Sequence, residues 1–246
     1  MILANLRQRL TAADHALVLR LLAGGHPRRQ RRLADRAAAE GPDVLLDDPD
    51  LPTLLEGAVG HAAPSAALFF YVAVRHTLRR RGLDDARLAD YVGALVFEFG
   101  LRDRAWRIAP HDDDEFRYLA DILAAAEAGA GRRGFLLRAH LGNFSLWLAG
   151  LFPDHIAARR VRRGGPDLGY YEALGARGFR LASDDAHAAA FDLVDVLGHA
   201  ADRFAEIRVA LNRLSDRRWF PGHSPDRLLR QAADAVRYPA PDSPFS

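Results

Sequence analysis

The chain is 246 residues long, 49% hydrophobic and 27% charged, an ordinary globular composition with enough length for a substantial core. Its formal net charge is only +2, yet its pI is about 9.3, because all 34 basic residues are arginine and none deprotonates near neutrality. Without cysteine there is no thiolate nucleophile, no cysteine zinc site and no cysteine-ligated iron–sulfur (Fe–S) cluster. Without lysine there is no Schiff base for pyridoxal phosphate (PLP) and no Walker-type phosphate loop. His, carboxylate and Arg are the remaining chemical tools, and no metal site or cofactor is assigned.

A lysine-free, alanine- and arginine-rich chain reflects compositional bias, so basic helices are weak grounds for nucleic-acid binding. The apolar runs Ala66–Val74 and Phe144–Phe152 are too short to span a membrane, and the first residues lack a basic leader and a cleavage site. The expectation is a cytoplasmic protein without a membrane partner.

The predicted elements are helical throughout. Thr11 followed by Asp14 predicts a capped helix running to Gly24-Gly25, and Pro27 opens a second, very basic helix ending at Gly41. Residues 42–53, rich in proline and aspartate, read as an irregular crossing. The expected division is an N-terminal helical subdomain over 1–50, a main bundle over 51–238 and a loose tail over 239–246. Pro64 begins a helix to Arg81, stopped by Gly82, and Asp84 or Asp85 caps the next, which ends near Gly100. The acidic run Asp112–Glu115 loads the positive end of a helix reaching about Ala128. A very apolar helix follows from about Arg132 to Leu151. Pro153-Asp154 restarts a short basic helix to Arg163, Gly164-Gly165-Pro166 breaks it, and Asp167–Arg177 forms another. Ser183 caps a last long helix reaching Leu214, and Ser224-Pro225 begins a final short one. The fold class is all-α, an irregular bundle of roughly eight to ten helices with no significant sheet.

In the long C-terminal segment Leu193, Leu197, Ala200, Phe204, Ile207, Leu211 and Leu214 alternate steps of four and three, a seam for neighbouring helices. Elsewhere polar residues interrupt apolar stripes. On the central helix His140, Asn143 and Trp147 share one face, with Arg138 nearby. Arg75 lies where Leu68, Tyr71, Val72 and Leu78 predict a core residue, flanked by His76. Glu98 sits beside the inner face of its helix, and hairpin geometry turns it away from Arg75 and toward Arg138 or His140. Arg75, His76, Glu98, Arg138, His140, Asn143 and Trp147 are therefore candidates for an interior ligand pocket, or equally for buried structural pairs. Arg159, Arg162, Arg163, Gly164 and Gly165 form a second candidate, for an anion, or a solvated helix face ending in a glycine cap.

His111-Asp112 lacks the setting of an HD-type phosphohydrolase, no second acidic motif supports an isoprenoid synthase, and Glu-x-x-His pairs for a di-iron bundle are missing. The N-terminal helix pair loosely echoes a helix-turn-helix, but its second helix, with Arg28, Arg29, Arg31, Arg32 and Arg36, has few apolar positions to pack. Two readings stand. One is a helical small-molecule-binding protein or non-thiol enzyme with an interior polar pocket, an anion among its candidate ligands. The other is a non-catalytic interaction or regulatory protein that meets nucleic acid or an acidic partner through Arg-rich helices.

Overall fold

The computed structural model describes residues 1–58, 63–101, 104–108, 114–222 and 225–239. The described residues form fourteen α-helices and two 3₁₀ turns, with no strand among them. None of these helices is long and apolar enough to cross a membrane. The helices exceed the expected eight to ten for two reasons. The proline-rich crossing is itself helical, and the long C-terminal helix is interrupted.

Thr11 and Asp14 form a reciprocal capping box that starts α1 (Ala12–Ala23), and left-handed Gly24 closes it. Basic α2 (Pro27–Glu40) buries none of its residues. The crossing folds as α3 (Asp43–Leu46) and α4 (Leu51–Gly57), which carry Leu45, Leu46, Leu51 and Leu55 into the core. Ser65, one residue past the expected Pro64, caps α5 (Ala66–Arg79) through the Leu68 amide. A turn through Gly82, at φ 75°, leads to Asp85, which caps α6 (Ala86–Phe99).

The expected acid-loaded helix start is not seen. Helix α7 (Leu119–Ala128) begins later, Asp114 pairs with Arg133 at 2.5 Å, and Glu115 pairs with Arg107 and Arg117 at 2.7 and 3.2 Å. His111, Asp112 and Asp113 lie outside the described residues, as do Ser224 and, beyond Pro239, the expected loose tail.

Central α8 (Gly131–Leu151) packs against α7, α10 (Leu168–Ser183) and α13 (Phe204–Arg218). Basic α9 (Pro153–Arg163) follows it directly. Helix α10 runs beyond Arg177 because Phe179 and Ala182 continue its buried stripe. Ser183 therefore ends a helix instead of opening one, and its hydroxyl donates to the Val194 carbonyl at 2.8 Å. The expected helix over 183–214 is divided into α11 (His187–Ala190), α12 (Val194–Asp202) and α13, with breaks at Asp192 (φ 55°) and Arg203. Its apolar seam is nonetheless buried from Leu193 to Leu214. A buried period constrains which face points inward, not whether the backbone stays unbroken between turns.

The last helix, α14 (Pro225–Arg237), is docked with its polar side inward. Arg227 and Arg230 meet Asp154 and Asp216, Gln231 donates to Asp216, and Asp234 meets Arg208. Leu228, Leu229 and Val236 face solvent, 52%, 70% and 85% exposed, so charge pairs rather than carbon hold this helix.

The α8–α10 crossing depends on small residues. A Cβ on Gly178 would stand 2.8 Å from the Gly142 nitrogen and 2.9 Å from the Arg138 carbonyl oxygen. Backbone cannot swing aside as a side chain can, so the helices would have to separate. Gly178→Ala should destabilise the protein by about 1–3 kcal/mol, seen as a lower Tm; an unchanged Tm would contradict this packing.

Candidate functional site

The structure divides the first group of candidates into separate settings. Arg75, its side chain 5% exposed, donates from Nε and Nη2 to both oxygens of Asp47 at 2.8 Å, and its Nη2 also meets Asp84 at 2.5 Å. Beside it, His76 Nε2 lies 2.8 Å from the Leu46 carbonyl oxygen. A carbonyl can only accept, so Nε2 carries the proton. Arg75 and His76 thus fasten the α3 segment to α5. Glu98 meets neither Arg138 nor His140, contrary to expectation. It pairs with Arg9 at 2.6 Å and lies 3.9 Å from Arg104, because α6 turns that side toward the N-terminal residues that precede α1. Arg138 pairs instead with Asp185 at 2.8 Å. Asn143 accepts from the buried Tyr91 hydroxyl at 2.8 Å. His140 and Trp147 both pack on Phe99, at ring separations of 5.7 and 5.9 Å.

The second group is a helix end. Gly164 caps α9 in the left-handed region, Arg162 returns to the Ala158 carbonyl at 3.3 Å, and Arg159 lies over the Tyr118 ring. Arg163 is exposed, and Gly165 lies close to the Arg159 stem.

Arg138 also lines a cavity of about 530 Å³ between α7, α8 and α10. There Asp185 bridges Arg138 and the Nδ1 of His187, each at 2.8 Å. Although burial pulls the other way, hydrogen bonds from His187 and the charge of Arg138 keep the Asp185 carboxyl below its ordinary range. Both carboxylate oxygens are engaged, so this arrangement holds the α10–α11 turn.

A different cavity, of about 490 Å³, opens between α4, α5, α13 and α14, and no sequence pattern pointed to it. Its position derives from the end of α8. Helix C-terminal carbonyls lack intrahelical donors. Here Asn212 Nδ2 donates to the Ala149 and Gly150 carbonyls, and Ser215 Oγ to that of Leu151, all at 2.7 Å. These bonds set the rotation of α13. Arg213, Asp216 and Arg217 then line the cavity, opposite Thr77, Arg80 and Arg81 at the end of α5.

The lining is strongly cationic: six arginines against Glu56, Asp216 and Asp234. Each acid is already committed. Glu56 pairs with Arg218, Asp216 with Arg230, and Asp234 with Arg208. Among the described residues Arg80, Arg81, Arg213 and Arg217 have no salt bridge to a carboxylate. Arg81 is only 4% exposed; its Nη2 donates to the Tyr238 carbonyl, while Nε and Nη1 have no hydrogen-bond partner. Burial first, and Arg213 next, work against the charge on Arg81. Burial, then Arg217 and Arg218, do the same to Arg80. Such a site favours an anion, which would supply acceptors and offset the mutual repulsion.

Among the described residues no cluster of three His, Asp or Glu side chains could hold a metal ion. Compared with known proteins, the chain matches no family model, no curated protein and no solved structure.

Two predictions follow from the α3–α5 clasp. Asp47→Ala leaves Arg75 with Asp84 alone and should cost about 1–3 kcal/mol in denaturant unfolding. His76 is held below its ordinary pKa, chiefly by burial. The unfolded chain therefore takes up this proton first, so the stabilisation is complete above about pH 6.5 and is lost as pH falls below it. The pH dependence of Tm between 7 and about 5 should flatten in His76→Gln; a parallel curve would show that His76 does not carry it.

Proposed function

We propose that this protein binds a small anionic molecule in the arginine-lined cavity between α4, α5, α13 and α14. The observation that carries the reading is the lining of a cavity large enough for a metabolite-sized ligand: among the described residues Arg80, Arg81, Arg213 and Arg217 have no carboxylate partner, and buried Arg81 keeps two donors without a hydrogen-bond partner. A fold that wanted only stability would place an apolar residue there, since an unpaired buried charge is costly. The lining acids are all ion-paired, so the supported role is binding and orientation of the ligand.

The test uses inorganic phosphate at constant ionic strength. Phosphate should raise the Tm of the native chain, and Arg81→Met should abolish that rise. In ligand-free buffer the same variant should be more stable than the native protein by about 1 kcal/mol, because it removes an uncompensated charge. A structural arginine would give the reverse: a destabilised variant that retains the phosphate response.

One observation favours the second reading, an interaction protein. Helix α2 has no buried residue, and Arg28, Arg29, Arg31 and Arg32 make no salt bridge among the described residues. In that reading α2 meets an acidic partner, and Arg28→Glu with Arg32→Glu should abolish its capture; unchanged capture would remove the reading.

A further inference from the structure

Four arginines that line the cavity, Arg80, Arg81, Arg213 and Arg217, have no carboxylate salt bridge among the described residues. Buried Arg81 lies in the field of exposed Arg213, with Asp234 and Glu206 offsetting part of it, and exposed Arg80 in that of Arg217 and Arg218, with Glu56 offsetting part. Arg213 and Arg217 lie one turn apart on α13, which separates their Cα positions by about 6 Å along the axis. Arg80 and Arg81 leave the end of α5 as neighbours, so each can share an anion with one of that pair. The lining acids are each paired elsewhere: Glu56 with Arg218, Asp216 with Arg230 and Asp234 with Arg208. A single anion seated on Arg81 and Arg213 would leave Arg80 and Arg217 without an anionic partner.

We infer that the ligand carries two anionic groups about 6 Å apart, one phosphate- or carboxylate-like group seated on Arg81 and Arg213 and a second held by Arg80 and Arg217. This rests on the reading of the cavity as an anion site. Linking the two groups in one molecule makes the second contact intramolecular, so affinity rises steeply only when the spacer matches the span. The lining also includes Ala73, Thr77 and Leu214, which suits a short carbon skeleton with few polar groups.

The experiment is calorimetric titration of the full chain with methylphosphonate, with α,ω-alkane bisphosphonates of increasing length, and with dicarboxylates of the same lengths. The expected result is a length optimum in at least one series. The best bisphosphonate or dicarboxylate should bind at least roughly tenfold more tightly than its one-headed counterpart, and the tighter series names the anionic group. Arg217→Ala, an exposed position, should reduce the two-headed ligand to the one-headed affinity while leaving methylphosphonate unaffected. Arg81→Met should abolish both. Equal affinity for one- and two-headed ligands, or a two-headed affinity indifferent to Arg217→Ala, would overturn this inference and leave anion binding standing. Failure of every anion to bind would overturn both.

Discussion

A guanidinium keeps its proton at any pH a protein survives, so burying one obliges the fold to supply acceptors. This chain has no lysine, and each of its side-chain cations other than histidine carries that obligation. The structure meets it with carboxylates at several buried arginines, including two that clasp helices together. Arg75 is gripped by Asp47 and Asp84, and Arg208 by Glu172 and Asp234. The first clasp joins the N-terminal helices to α5; the second joins α10, α13 and α14. At Arg81 the same requirement is met only by a backbone carbonyl on one nitrogen. The place where the fold's general solution stops is also the place where a cavity opens.

The backbone arrangement behind that cavity comes from polar groups rather than from the apolar core. Asn212 and Ser215 satisfy the last carbonyls of α8, and in doing so they fix the rotation of α13. Gly150 allows the approach, since a Cβ there would lie 2.8 Å from Leu211 Cδ1. The same turn of α13 that caps one helix therefore presents Arg213, Asp216 and Arg217 to the cavity. Structural and cavity-facing roles alternate along a single helix at a spacing of one to four residues.

Helix punctuation was legible in the sequence wherever the signal is local. Thr11 with Asp14, Gly24, Gly82, Asp85 and Gly164 all terminate elements for reasons confined to a few residues. The seam from Leu193 to Leu214 was legible as burial but not as three helices, because Asp192 and Arg203 break the backbone without interrupting the apolar period. The interior polar residues were legible as buried, yet their partners were not: Arg75 finds Asp47 and His76 finds Leu46 across a fold-dependent gap. The cavity was least legible. Arg80 and Arg81 end one helix, and Arg217, with Arg213 one turn before it, ends another, so each set alone looks like ordinary cations near a helix C-terminus. Only tertiary packing sets them around one cavity whose acids are already paired.

Helix α14 forms one wall of the cavity, and its described apolar side chains point away from the core. Its own apolar side chains would gain little exposure on moving, so opening the wall would change the heat capacity less than moving a helix with a buried apolar face. The energetic cost of access to the cavity would then vary less with temperature, while the core beneath it follows the curved stability of any globular protein.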